Sequence, residues 1–160
     1  MNYWIILVAA LVPIVTGSLW YNPKVFGTAW MKAANLTEDR LKQGNMAVII
    51  LVSVLLSVFL GMQLMMLTIH QSHVGSLFAD LGDDAAAMAD LEAFMAKYGT
   101  LYRTFKHGVL HGVMSGLFFA LPVIGINAMF ERRGGKYIFI HTGYWMLTMG
   151  LMGGIICQWL

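Results

Sequence analysis

What most restricts this chain is where its charges are absent. Residues 1–23, 43–79, 107–130 and 137–160 contain no Asp, Glu, Lys or Arg. A helix needs about 20 predominantly apolar residues to cross the hydrocarbon core of a bilayer, so each run is long enough for one crossing. Only 11% of the 160 residues are charged and 59% are hydrophobic, whereas a soluble domain carries about 25% charged residues. A soluble enzyme and a disordered tail are excluded on that ground. The single Cys157 excludes an intramolecular disulfide, a CxxC redox pair and a zinc knuckle. A net charge of +2, with no basic run interleaved with aromatics, gives no footprint for nucleic acid.

The charges that remain fall in three bands whose signs alternate. Residues 24–42 carry Lys24, Lys32, Arg40 and Lys42 against Glu38 and Asp39, residues 80–106 carry five acids against three bases, and residues 131–136 carry Arg132, Arg133 and Lys136 against Glu131. The first and third bands are the connectors that share one side of a four-span protein, and they hold seven of the ten basic residues. Cytoplasmic loops carry the excess of Lys and Arg. The expectation is therefore a multi-pass protein of a bacterial inner (cytoplasmic) membrane, with both termini and the acidic middle connector outside. The amino-terminal run lacks a basic segment and ends in Trp20-Tyr21 rather than a small-residue cleavage site, which predicts a retained span rather than a signal peptide.

The fold class predicted is all-α: an integral membrane four-helix bundle whose outer connector carries a short amphipathic helix. One transmembrane domain covers residues 1–160, with spans near 3–21, 45–71, 103–130 and 137–159 and an outer acidic connector over 72–102. Pro13 and Pro122 kink the first and third spans. Phe26-Gly27 and Trp30 fold back against the inner surface, and Thr37 caps a helix start. Met88, Leu91, Phe94, Met95 and Tyr98 share one face of the connector helix.

Small residues recur along three spans: Ser53, Ser57 and Gly61; Gly108, Gly112 and Gly116; and Gly143, Gly150, Gly153 and Gly154. Such stripes let helix backbones approach closely in lipid, where apolar burial gives no preference for protein over acyl tails. They serve either a compact bundle or a homo-oligomer. No internal repeat is evident.

Histidine is the side chain whose charge changes near neutral pH. His70 and His73 fall at the outer end of span two, and His107 and His111 at the outer end of span three, so all four approach one level of the membrane. His107 and His111 are four apart and share a helix face, a spacing that suits chelation of one metal ion or ligation of haem. Thr104 and Ser115 extend that stripe, and Gln63 shares a face with His70. The alternative is imidazoles that hydrogen-bond between helices. The HxxxH lacks the Glu of HExxH, so it gives no metalloprotease signature. Near the inner face, Asn127, His141 and Tyr144 form a second polar patch beside Tyr21-Asn22. The methionines, with Met62, Met65 and Met66 in one cluster and Met146, Met149 and Met152 in another, suit gap-filling better than copper ligation.

Several short motifs run through the chain: Leu19-Trp20-Tyr21-Asn22-Pro23 with Phe26-Gly27 and Trp30; Leu36-Thr37-Glu38; Lys106-His107-Gly108 and His111-Gly112; Gly125-Ile126-Asn127; Phe130-Glu131-Arg132; and Gly143-Tyr144-Trp145 with Met152-Gly153-Gly154. In these the chain resembles a group of small four-span bacterial membrane proteins catalogued as a domain of unknown function. The match covers nearly the whole chain except the acidic connector, which is long beside the shorter relatives. The resemblance implies four spans and supplies no catalytic residues. The function expected is that of an oligomerising or accessory subunit of a membrane assembly, with the lipid bilayer and a homo-oligomer or larger complex as partners. The alternative is a ligand-binding or transport protein whose outer His cluster takes a metal, haem or a quinone-like group. No nucleophile or buried acid for a membrane enzyme is found.

Overall fold

The structure, a computed structural model, describes residues 2–160, and these form helices and turns with no strand among them. The first apolar run is broken into α1 (Trp4–Ala9) and α2 (Val12–Trp20), the break falling where Pro13 enters the first turn of α2. A five-residue π-turn, Pro23–Gly27, then leads into α3 (Thr28–Ala34). Gly27 is obligatory there, because a Cβ would strike the backbone of Tyr21 and Asn22. The pair Trp4–Trp20 and Pro23–Ala34 is bent by 55°, which lays Trp30 against Tyr21 (ring centroids 5.0 Å apart) and Phe26 against Trp20 (4.5 Å). The short α4 (Glu38–Lys42) is capped by the Thr37 hydroxyl, which accepts the Arg40 N–H at 3.3 Å.

The second run is one straight element, α5 (Met46–Thr68), capped by the Asn45 side chain. It ends at Thr68, three residues before the sequence-based limit, because Ile69 turns extended and is fully buried. The outer connector contains α6 (Gln71–Leu77) and α7 (Ala85–Tyr98). The third run is α8 (Phe105–Ser115), a π-turn (Gly116–Ala120) and α9 (Leu121–Phe130), which together make one long helix. The π-turn immediately precedes Pro122, whose missing N–H and ring would otherwise disrupt the ladder. Arg132, at φ 59°, closes the turn into α10 (Gly135–Trp159).

Helix α10 is the centre of the fold. It buries Tyr144, Thr148, Met149, Met152, Ile156 and Cys157 among others, and α8, α5, α2 and α1 pack on it. Met149 and Met152 fill the core. Its closest partner is α8, and glycine makes that approach possible. A Cβ on Gly108 would enter the Gly153 carbonyl, one on Gly112 the Met149 carbonyl, and one on Gly116 would lie 2.6 Å from Met146 Cα. From the other side Gly154 admits the Phe105 ring and Gly150 the Val113 methyl. Gly61 of α5 accepts Ile6 at 3.0 Å, and Ser57 is buried with its hydroxyl donated to the Ser53 carbonyl. The small-residue stripes are thus occupied within one chain.

Two ends of the molecule are tied off. At one, the Asn2 N–H donates to the Leu160 carbonyl (2.9 Å), Arg103 Nε to the Cys157 carbonyl (2.7 Å) and the Phe105 N–H to Gln158 Oε1 (2.9 Å). At the other, Arg133 Nη1 donates to the Ala34 carbonyl at 2.7 Å, joining the α9–α10 turn to α3. Two helical segments, Met46–Thr68 and Phe105–Phe130, are long and apolar enough to cross a membrane, with mean hydropathies of 2.5 and 2.0; a third counts if the bent first pair is one span. Helix α10 has the length but a lower mean hydropathy, because His141, Tyr144, two threonines and five glycines lie along it. A helix surrounded by other helices meets little lipid and so need not be apolar throughout.

Candidate metal centre

His70 sits between two anchors. On one side Ile69 is buried in the core; on the other Gln71 is buried and its amide donates to the carbonyls of Tyr98 (3.0 Å) and Leu101 (2.8 Å). The same glutamine therefore fixes the turn that carries His70 and the end of the acidic connector. Across from it, α8 begins at Thr104, whose hydroxyl accepts the His107 N–H. His107 and His111 each directly precede one of the glycines pressed against α10. Successive helix residues lie about 100° apart around the axis, so the glycine stripe sets the rotation of α8 and turns both imidazoles away from α10, toward His70.

The three rings converge. Centroid distances are 4.5 Å for His107–His111, 4.9 Å for His70–His111 and 5.0 Å for His70–His107. One ring nitrogen from each lies within 4.8 Å of the other two, and His70 Nε2 is 3.0 Å from His107 Nε2. Two nitrogens bound to one tetrahedral zinc at about 2.05 Å are roughly 3.3 Å apart, so small ring rotations close this set around an ion. No carboxylate or thiol joins the group among the described residues. The Tyr102 ring stacks on His107 with centroids 5.2 Å apart and planes 19° apart. Tyr102 has φ 62°, a left-handed conformation that is costly for a bulky side chain.

His73 lies apart. Because α5 stops at Thr68, it falls on α6, where it is exposed and its carbonyl accepts the Ser76 hydroxyl. Thr104 and Ser115 act on backbone, the first as the cap and the second by donating to the His111 carbonyl.

The inner polar patch has different members from those expected. His141 Nδ1 pairs with the Tyr21 hydroxyl at 2.9 Å, and Tyr144 donates to the Pro13 carbonyl at 2.9 Å. Trp20 Nε1 donates to the Ile140 carbonyl at 3.1 Å, its ring lying against Gly143. These contacts hold the bent first segment on α10. Asn127 is exposed on α9 and has no side-chain bond to His141. Sequence reasoning grouped Tyr21 with this patch but did not pair it with His141, since nothing in the local pattern fixes how two helices 120 positions apart are rotated.

The comparisons with known proteins bear on the whole chain rather than on the histidines. No curated protein and no solved structure matches it. A family model described as a protein of unknown function, DUF1761, matches residues 4–157, and the chain belongs to that family.

Proposed function

We propose that this protein is a multi-pass membrane protein that holds a zinc-class divalent metal ion with His70, His107 and His111 at its outer end. The observation that carries this reading is the convergence of three imidazole nitrogens within 4.8 Å from two separate parts of the chain. Imidazole is a preferred ligand of borderline ions such as zinc, and three such ligands leave a fourth tetrahedral position open. The strained Tyr102 stacked on His107 supports the same reading, since strain of this kind clusters at binding sites.

The architecture that goes with it is a four-helix bundle crossing an inner membrane four times, with both termini outside. The Asn2–Leu160 hydrogen bond favours an even number of crossings. The 25 residues of α10 extend about 37 Å, enough to span. The joined basic connectors favour the cytoplasmic side for Ala34 and Arg133. A role as an oligomerising or accessory subunit is the second reading, favoured by α7, which has no buried residue and carries Asp90 and Glu92 outward.

The test is metal analysis of protein purified with a histidine-free tag after growth with zinc. The wild type and His73→Ala are expected to carry about one ion per chain, and His107→Ala none. A metal-free wild type without measurable zinc affinity sinks the proposal. A stoichiometric partner in the purified material would instead favour the second reading.

A further inference from the structure

Below the histidines, two cavities of about 460 and 400 Å³ lie between α5 and the α8–α9 segment. They share Leu60, Phe119 and Met149, and so form one groove that runs from His111 to Pro13 with α10 as its floor. The total lies within the range of cofactor and drug-sized sites. The outer walls are lipid-facing: Phe118 and Phe119 are 69% and 70% exposed.

The two halves differ in chemistry. In the inner half two of the three hydroxyls are already used, because Ser57 donates to the Ser53 carbonyl and Tyr144 to the Pro13 carbonyl, which leaves only the half-buried Ser53 hydroxyl. In the outer half Gln63 lines the groove beside His111 and Ser115, and its amide has no hydrogen-bond partner among the described residues. Gln63 is five residues from the end of α5, roughly 7.5 Å along the helix. An amide at that depth is costly unless something bonds to it. No Asp, Glu, Lys or Arg lines either cavity, which disfavours a phosphate headgroup and selects an uncharged one. Phe118, Phe119 and Trp145 supply flat apolar surfaces for a ring.

We infer that the groove binds a membrane quinone, its ring between Gln63 and Phe119 and its apolar tail running inward past Leu60 toward Pro13. The Gln63 amide donates to a quinone carbonyl and equally accepts from a quinol hydroxyl. The inference shares His111 with the proposed metal site but does not need the metal.

The experiment measures quenching of tryptophan fluorescence by a short-tailed ubiquinone analogue, using chelator-treated protein in phosphatidylcholine nanodiscs. Saturable binding is expected, about tenfold weaker in Gln63→Leu and unchanged in His73→Ala; one lost hydrogen bond accounts for a change of that size. Leucine is at home on a lipid-facing helix, so Gln63→Leu is expected to keep the wild-type metal content. A saturated alcohol with the same tail is expected to compete at least tenfold more weakly than the quinone. Non-saturable quenching, equal binding by Gln63→Leu, or equal competition by the alcohol would each overturn the inference. Failure of the metal reading appears separately, as a wild type that takes up no zinc.

Discussion

His70 Nε2 and His107 Nε2 lie 3.0 Å apart although 37 residues separate them in the chain. At that distance either one nitrogen carries the proton that the other accepts, or both direct lone pairs at a shared cation. The second arrangement needs deprotonated rings, so protons compete with the metal. Zinc affinity is therefore expected to fall at least tenfold as pH drops through the range in which imidazole gains its proton. Titration against a fluorescent chelator at several pH values measures this. A flat profile would remove imidazole from the coordination sphere.

The glycine stripe of α8 should tolerate nothing larger. Gly112→Val forces a side chain into the Met149 backbone and is expected to cost at least about 3 kcal/mol, since the obstruction is main chain and cannot swing aside. It should also lose zinc, because the α8–α10 contact sets the direction of His107 and His111. Gly125→Ala is the control: nothing lies within 4 Å of its Cβ position, and stability should stay within about 1 kcal/mol of wild type. Unfolding in a denaturing detergent compares the two, and equal loss in both would argue against the close α8–α10 approach.

Thr16 and Thr148 share a buried hydrogen bond of 2.8 Å between α2 and α10. A double-mutant cycle with Thr16→Val and Thr148→Val is expected to give a coupling of about 0.6–1.5 kcal/mol, the range for side-chain bonds between membrane helices. The coupling should sit near the lower end, since Thr16 also bonds the Val12 carbonyl at 2.9 Å. Zero coupling would mean that α2 is not held on α10 by this pair.

Topology is accessible to labelling, because the native Cys157 is buried. Gly82 and Gly134 are both exposed with open space around them. A membrane-impermeant thiol reagent added to intact cells should label Gly82→Cys and leave Gly134→Cys untouched until the membrane is opened. The reverse pattern would invert the proposed orientation, and labelling of both from outside would break the even number of crossings.

Helical content, the two long apolar segments and the meeting of His70 with His107 and His111 were legible from spacing, because helical periodicity and antiparallel order are enough to bring those three to one level. His73 was not, since the end of α5 depends on Ile69 turning into the core, a tertiary event with no local signal. Similar depth on either side of the Glu131–Lys136 turn sets Asn127 opposite His141, but depth does not fix rotation about a helix axis, and Asn127 is exposed on α9. Glycine spacing announced close approach but not its partner: Gly108 and Gly112 fit another chain as well as they fit α10. The lower hydropathy of α10 likewise becomes intelligible once the helices around it are known.

The position of α10 in the chain has a consequence for biogenesis. It follows α1, α2, α5 and α8 in the sequence, yet all four use it as their common surface. In the proposed membrane topology, synthesis from the amino terminus brings those earlier segments into the bilayer with their glycine faces and the hydroxyls of Thr16 and Tyr21 still without the partners that α10 supplies. Assembly is then a closing event governed by the arrival of α10. A ribosome stalled after Phe130 would leave α5 in contact with α1, α2 and α8 but without the surface on which all four pack, a loosened set of helices for membrane quality control to meet.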